Sequence, residues 1–196
     1  TFYIGGARAQ SRPALVQEIL RRGHAIGNHS AMHPAAWFWA ASPRVLEHEV
    51  GAAQDVLSEL GGSAPTQFRC VVGMSNVFVA PVLERHRLLR VAWSARGYDT
   101  VHAEPEKVWQ RLRRGLRPGA ILLLHEGAAH GASTATLRYV LQQLDAEGYR
   151  CVVPEPPLEC SATSSQLLNG VPPHRGVKVE RSPRSASKDA NAARSG

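Results

Sequence analysis

Short apolar runs alternate with longer amphipathic segments along most of this chain, and that alternation limits the folds it can adopt. The runs are TFYIGG, HAIGNH, QFRCVV, LRVAWS, AILLLH and YRCVV. They are largely apolar throughout rather than alternating, which is typical of strands buried on both faces of a parallel sheet. We therefore predict an α/β fold in which helices cover a parallel sheet.

The segments between these runs carry helix signals. In SPRVLEHEVGAAQDVLSELGG, we expect Ser42 to cap a helix that Pro43 opens and that ends before Gly61. In SRPALVQEILRRG, we expect Ser11 to cap a second helix that ends at Gly23. Three further helices are predicted in NVFVAPVLERH, EPEKVWQRLRRG and STATLRYVLQQLDAEG.

Composition divides the chain into two predicted regions. Residues 1–158 carry the alternating pattern and form one predicted domain. Residues 161–196 contribute +4 of the formal net charge of +7 and lack aromatic side chains. Because this end of the chain is rich in Ser, Ala, Pro and Arg, we predict a disordered basic tail over residues 159–196. We expect that tail to be solvated rather than bound to nucleic acid.

Other features narrow the class of protein. No apolar run approaches the length of about 18 residues that a membrane-spanning helix needs, so we expect no membrane span. The chain starts at Thr1 without a charged-then-apolar leader, so the sequence does not indicate a compartment. The three cysteines form no CxxC pair, which argues against a disulfide framework, and we expect Cys70 and Cys151 to be buried.

Polar side chains fall at or near the ends of four predicted strands. They are His29, Arg69, Trp93 and His125. The carboxyl ends of parallel strands meet at one rim of the fold, where ligands of α/β proteins bind. We therefore expect these four side chains to lie near one another.

His29 and His33 are four residues apart in GNHSAMHP. On one face of a helical turn, two imidazoles at this spacing can hold one divalent ion. Ser30 could then orient a ring or a loop amide. The alternative interpretation is a pair of exposed polar histidines with no ligand.

His125 and Arg69 are candidates for chemistry. A histidine that follows a buried strand is partly desolvated and suits a general acid or base, although it could equally be hydrogen-bonded to a loop. An arginine inside an apolar strand needs a carboxylate partner if it is buried, and Asp99 in WSARGYDT is a candidate. Otherwise Arg69 lies at an exposed strand end.

Three aromatic residues follow the histidine pair closely. Trp37, Phe38 and Trp39 could stack on sugar rings beside a polar site. Packing in the hydrophobic core is the other interpretation, and the sequence does not separate the two.

Taken in chain order, these segments resemble the polysaccharide deacetylases, the NodB-homology family of carbohydrate esterases. RPALVQEILRRGHAIGNHSAMHP is similar to a family phrase that contains the His-Ser-x-x-His metal motif. FRCVVG is similar to the Arg-x-Pro-x-Gly segment at Arg69 and Gly73. WSARGYDT and RPGAILLLHEG are similar to the tryptophan–aspartate and Leu-x-His motifs. The resemblance covers about residues 1–155, and the ordered set of motifs is specific.

The resemblance implies a fold, a reaction and a cofactor. The fold is a distorted (β/α) barrel. The reaction is hydrolysis of carbon–nitrogen bonds other than peptide bonds, which removes N-acetyl or sometimes O-acetyl groups from a polysaccharide or oligosaccharide. The cofactor is a divalent metal, usually Zn²⁺, with His29 and His33 as ligands.

The resemblance also implies roles for the other side chains. His125 would protonate the departing amine, and Arg69 would orient the catalytic carboxylate with the support of Asp99. Leu123 would line the pocket for the acetyl methyl group, and Trp93 would contact the substrate. Metal, oriented water and a proton donor together are what amide hydrolysis requires.

The sequence departs from the family pattern in three places. The family's first motif, Thr-Phe-Asp-Asp, supplies the base and a third metal ligand, and this chain begins after that point, which implies an N-terminally incomplete barrel. Val71 stands where the family has proline, and Arg96 where many members have aspartate. We hypothesise that the intact gene product is a deacetylase and that this 196-residue piece is inactive or badly impaired.

Two alternatives remain open at this point. The first is a non-catalytic glycan-binding relic that keeps the rim and has lost the chemistry. The second is a nucleic-acid binder, which rests only on the basic tail.

Overall fold

The structure, a computed structural model, describes residues 1–154 together with Glu180 and Arg181. The strands are β1 (Phe2–Ile4), β2 (Ile26–Asn28), β3 (Gln67–Phe68), β4 (Leu89–Arg90), β5 (Ala95–Arg96), β6 (Leu122–Leu123), β7 (Tyr149–Arg150) and β8 (Glu180–Arg181). The helices are α1 (Gly6–Ser11), α2 (Pro13–Arg21), α3 (Pro43–Gly61), α4 (Val79–Arg85), α5 (Pro105–Arg113) and α6 (Ser133–Ala146). Short 3₁₀ helices cover Phe38–Ala40 and Val71–Gly73. Apart from β8, the predicted tail lies outside the described residues, so the division into domain and tail stays a prediction.

Parallel pairing confirms the predicted fold class. β1, β2, β3 and β4 form a parallel sheet in chain order, and β5 and β6 form a second parallel pair. Residues 91–94 join the two sheets. At one end, Val91 N–H donates to the Phe68 carbonyl in β3 at 2.8 Å, and at the other end Ser94 N–H donates to the Ile121 carbonyl next to β6 at 3.0 Å. β7 pairs antiparallel with β8.

Helices cover the sheets through three apolar clusters. One lies between β3, α3 and α4 and contains Phe38 and Phe68, both fully buried. A second joins α5 and α6 to the β5–β6 pair, and a third joins α1, α2 and α3. In the second cluster, Leu122 and Leu124 pack against the helices, so the intervening Leu123 points to the opposite face of the sheet. No helix within the described part of the chain is long and apolar enough to cross a bilayer.

Several helix ends were predicted correctly and others were not. Ser42 caps α3 as expected, since its side chain accepts a hydrogen bond from Val45 N–H. The predicted cap at Ser11 is wrong, because Ser11 ends α1 and donates its hydroxyl to the Arg8 carbonyl. α3 also continues through Gly61, and Gly62 ends it with φ +69°.

The predicted strands are longer than the observed ones, and β3 and β4 show why. QFRCVV is a strand only over β3, after which a 3₁₀ turn with Val72 at φ +47° bends the chain. LRVAWS is a strand only over β4, and its last residues lead into β5. The apolar pattern marks burial, but it does not mark where backbone pairing stops. The prediction for Cys70 is confirmed, whereas that for Cys151 is wrong, because Cys151 is exposed.

Candidate functional site

Four predicted side chains follow the carboxyl ends of parallel strands. His29 comes directly after β2, and Arg69 comes directly after β3. Asp99 lies three residues after β5, and His125 lies two residues after β6. The rim that parallel strands create therefore carries imidazole, guanidinium and carboxylate groups from separate parts of the sequence.

His29 is held as a neutral imidazole. Its Nδ1 lies 2.7 Å from the Arg69 carbonyl and donates to it, which leaves the Nε2 lone pair free. Burial lowers the pKa of His29 to about 4, although that hydrogen bond opposes the shift. The positive charges of His33, Arg69 and His125 lower the pKa of His29 further.

The His29 and His33 rings come together through a loop and not through a helical turn. Their centroids are 4.8 Å apart in an edge-on arrangement. Ser30 and His33 both adopt the left-handed region, with φ +68° and +55°, so the helical geometry assumed for this pair is wrong. Ser30 Oγ accepts the His33 N–H at 3.0 Å, which is the loop-amide role expected of it.

Two buried polar residues hold this loop, and neither was singled out from the sequence. Asn28 is fully buried, and its amide donates to the Val50 carbonyl and to Gln54 Oε1 while its oxygen accepts the Ser30 N–H. Glu49, only 4% exposed, accepts the Met32 N–H at 2.9 Å. The sequence contained one signal for each of them. Asn28 is a polar residue at the end of an apolar strand, and Glu49 is an acid on the buried face of α3.

His125 is fixed by Asp99. The Asp99 carboxylate accepts the His125 backbone N–H at 2.6 Å on one oxygen and lies 3.0 Å from His125 Nδ1 on the other. Burial would raise the pKa of Asp99, but the hydrogen bonds from His125 outweigh it and the pKa is lowered. The ionised carboxylate accepts a hydrogen bond from the Nδ1–H of His125, so Nε2 is the free ring nitrogen.

A fourth histidine, His130, supports the His125–Asp99 pair and was not predicted from the sequence. His130 Nε2 lies 2.7 Å from the Asp99 backbone carbonyl, and its Nδ1 accepts the Ala132 N–H at 3.1 Å. These contacts tie the loop after β6 to the chain that carries the carboxylate. The signal available in the sequence was only its proximity to His125.

The predicted pairing of Arg69 with Asp99 is wrong. The Arg69 guanidinium lies 3.9 Å from the centroid of the Tyr3 ring and donates to the Val91 and Ala92 carbonyls. Burial lowers the pKa of Arg69 and raises the pKa of Tyr3 to about 12. An aromatic face and backbone carbonyls therefore satisfy the buried cation without a carboxylate.

The two predicted substrate-contacting residues, Leu123 and Trp93, are buried and half-buried. Leu123 is 5% exposed and pairs in register with Arg96. Trp93 is half-buried, and the place of a Gly73 Cβ would be only 2.4 Å from the Trp93 ring. Glycine at position 73 is thus required by the close approach of this indole as well as by its φ of +76°.

The three aromatic residues after the histidine pair divide between the two interpretations. Phe38 is fully buried and stacks with Phe68, so it is a core residue. Trp37 and Trp39 are 47% and 56% exposed. Of the three side chains, only these two indoles have surface available for a ligand.

The histidine pair fits a divalent metal as part of a ligand set. The Arg69 carbonyl orients His29 in the way that backbone acceptors orient metal-bound imidazoles, and the neutral ring has no proton to displace from Nε2. Catalytic zinc sites usually have three protein ligands. Within residues 1–154, no group of three or more His, Cys, Asp or Glu side chains is arranged to hold a metal ion. His29 and His33 therefore fit as two of the ligands.

Comparisons with known proteins place the chain among glycan-modifying enzymes. Residues 1–90 match the family model described as polysaccharide deacetylase. The chain is 31% identical over 155 residues to the peptidoglycan-N-acetylglucosamine deacetylase of Bacillus cereus, and the match covers 78% of this chain and 71% of that protein. It is 28% identical over 162 residues to the chitooligosaccharide deacetylase of Azorhizobium caulinodans, with 76% of each chain covered.

A solved structure shows the same architecture. The family 4 carbohydrate esterase from Streptomyces lividans, in complex with acetate, superposes with a TM-score of 0.66 at 25% sequence identity. The match covers 74% of this chain and 73% of that chain. The similarity therefore extends well past residue 90, into the part of the chain that carries the second half of the rim.

Proposed function

The chain belongs to the polysaccharide deacetylase family and has the NodB-type barrel fold of its relatives, and from that premise we propose that it hydrolyses acetyl groups from a glycan with the help of a divalent metal. Substrates of the kind that its relatives are named for are N-acetylglucosamine units of chitooligosaccharide or peptidoglycan. The observation that supports the proposal is the His29–His33 ring pair, with centroids 4.8 Å apart, on the same strand rim as the His125–Asp99 pair.

His125 has the role of proton donor. Hydrolysis breaks the carbon–nitrogen bond of the acetamide, adds a hydroxyl to the acetyl carbon and needs a proton on the departing nitrogen. His125 Nε2 can hold and transfer that proton, because Asp99 occupies Nδ1 and offers the imidazolium a countercharge. Leu123 and Trp93 form the apolar surface against which the acetyl methyl group would pack.

His29 and His33 have the role of metal ligands. A bound divalent ion, with zinc as the expected one, would polarise the attacking water and the acetyl oxygen. His29 is prepared for this role by its buried neutral ring, and His33 by the loop that Ser30 closes. Arg69 acts on the site through its carbonyl, which orients His29, and through its guanidinium, which stiffens the neighbouring rim.

We propose that this 196-residue chain deacetylates its glycan substrate slowly. Support comes from the ligand count, since two imidazoles without a third protein ligand in the described part of the chain hold zinc weakly. In addition, none of the rim residues is assigned as a general base for the attacking water; these residues are His29, His33, Arg69, Asp99 and His125. The chain would then bind the glycan and the metal but deacetylate the bound glycan slowly.

The experiment is zinc-dependent release of acetate from chitohexaose, with the Bacillus cereus relative assayed in parallel. We expect slow release that requires zinc and that His125→Ala abolishes while leaving zinc affinity unchanged. Release that needs no metal, or that survives His125→Ala, would contradict the assigned roles. Turnover at the rate of the relative would contradict the impairment alone.

The second candidate function is glycan binding without catalysis. The exposed Trp37 and Trp39 favour it, because indoles with free faces stack on sugar rings. Saturable binding of chitohexaose without any acetate release, even with zinc present, would select this function over the first.

A further inference from the structure

A row of arginines and aromatic rings runs from the histidine site across the β5 side of the rim. Arg69 and Arg96 both lie beside the Trp93 ring, with guanidinium carbons 6.0 and 5.9 Å from its centroid. Arg96 also lies 4.7 Å from the Tyr98 ring, and Arg111 from α5 lies 5.5 Å from the same ring. We call Arg69, Trp93, Arg96, Tyr98 and Arg111 the arginine–aromatic row.

The arginines of this row form no ion pair with a carboxylate in the described structure, although Glu126 lies within electrostatic range of Arg69. The ion pairs found there use other arginines, and none includes Arg69, Arg96 or Arg111. The nearest acid along the chain, Asp99, is committed to His125. Three guanidinium groups along one row therefore create a surface that favours an anion.

Arg96 supplies the most specific signal. Its Nε is buried and makes no hydrogen bond to any residue that the structure describes. A buried donor without an acceptor is costly, and a guanidinium presents several donors in a fork that matches a carboxylate. Arg96 is therefore arranged to receive an acceptor from outside the described chain.

The backbone of the row also points to a ligand. Tyr98 is 44% exposed and has φ +56°, a conformation that bulky side chains rarely adopt. The strain presents its ring between Arg96 and Arg111, next to Asp99. Arg96 is also the register partner of Leu123, so the row borders the proposed acetyl pocket.

We propose that the arginine–aromatic row binds a carboxylate carried by the glycan, so that this chain prefers an acidic polysaccharide to a neutral one. The inference rests on the proposed function for its substrate class, a glycan. The planar guanidinium of Arg96 binds the carboxylate, Arg111 adds charge from the outer side, and the indole of Trp93 packs against the adjoining sugar ring.

The test compares two hexasaccharides that share N-acetylglucosamine. Hyaluronan hexasaccharide carries a carboxylate on alternate sugars, and chitohexaose carries none. Calorimetric titration at low salt should show the hyaluronan fragment binding about tenfold more tightly, as expected for one charge-assisted contact. The preference should shrink as salt is added. Equal affinities for the two sugars would overturn the proposal.

Matched variants separate a specific site from general positive charge. Arg96→Gln should abolish most of the preference, Arg96→Lys should keep part of it, and Arg111→Gln should reduce it less. Arg117→Gln removes the same charge from an exposed position before β6, at the opposite end of the strands, and should leave the preference unchanged. An equal loss in Arg117→Gln would overturn the proposal, as would full preference in Arg96→Gln.

The readouts also distinguish this inference from the proposed function. Zinc binding and acetate release from chitohexaose depend on the histidine site and not on the preference between sugars. If both are found but the two sugars bind alike, only the arginine–aromatic row has been misassigned. Circular dichroism of each variant confirms that lost binding is not lost folding.

Discussion

The two halves of the rim prepare their histidines in opposite ways. On the β2–β3 side, His29 Nδ1 bonds to the Arg69 backbone carbonyl, and burial lowers the pKa of the ring to about 4, which keeps it neutral. On the β5–β6 side, an ionised Asp99 holds the Nδ1 proton of His125 and can stabilise a second proton on the ring. A neutral imidazole suits a metal, and a carboxylate-backed imidazole suits proton transfer.

The contrast between His29 and His125 shows that residue type alone does not determine the role of a histidine on this rim. The same side chain becomes a lone-pair donor or a proton carrier according to what its Nδ1 contacts. A carbonyl on one side and a carboxylate on the other make that distinction. Changing those contacts is the direct way to test the comparison.

The largest effect is expected for metal binding on the β2–β3 side. His29→Ala removes one of two proposed ligands, so zinc affinity should fall by more than about a hundredfold. Competition against a chromophoric chelator measures it. His48→Ala, which removes an exposed histidine from α3, is the matched control and should have no effect. Equal zinc affinity in both variants would remove His29 from the site.

The buried amide under the same loop should have the next largest effect. Asn28→Ala removes the acceptor of the Ser30 N–H and the donor to Gln54 Oε1 inside the core, which should lower the free energy of unfolding by about 2–3 kcal/mol. Urea unfolding measures it. Gln142→Ala on the exposed face of α6 should change stability by less than about 0.5 kcal/mol. A loss of similar size in both variants would mean that Asn28 does not hold the loop.

The β5–β6 side should respond to pH through Asp99. Because its pKa is lower in the folded protein than the ordinary value of about 3.9, ionised Asp99 stabilises the fold above that value. This stabilisation is lost as the pH falls through the folded pKa. Asp99→Asn should thus be less stable than the parent by about 1–2 kcal/mol at neutral pH, with the gap closing in acid. Unfolding in urea across pH measures it, and a gap that does not vary with pH would contradict the prediction.

The smallest effect is expected for His130. His130→Ala removes one hydrogen bond to the Asp99 carbonyl and one from Ala132 N–H, both in a partly exposed loop. The free energy of unfolding should fall by about 1 kcal/mol, less than for Asn28→Ala. The NMR signal of the His125 ring should broaden as its carboxylate partner loosens. An unchanged His125 signal would show that Asp99 does not depend on His130.

Much of this molecule follows from local sequence. Apolar runs mark the places of the parallel strands, Ser42 and Pro43 mark the start of α3, and the ordered motifs from His29 to His125 indicate the family. These features depend on hydrophobic burial, capping and strand polarity, which neighbouring residues largely determine. The loop-amide role of Ser30 was also predicted from its immediate neighbours.

Tertiary structure alone decided the partners of the charged groups. Asp99 pairs with His125, which is 26 residues away in the chain, and not with Arg69. The Arg69 carbonyl orients His29, which is 40 residues away. The sequence names the donors and acceptors of such contacts but not their distances. Protonation and charge at the rim depend on those distances and on burial, so they arise only when the strands bring distant segments together.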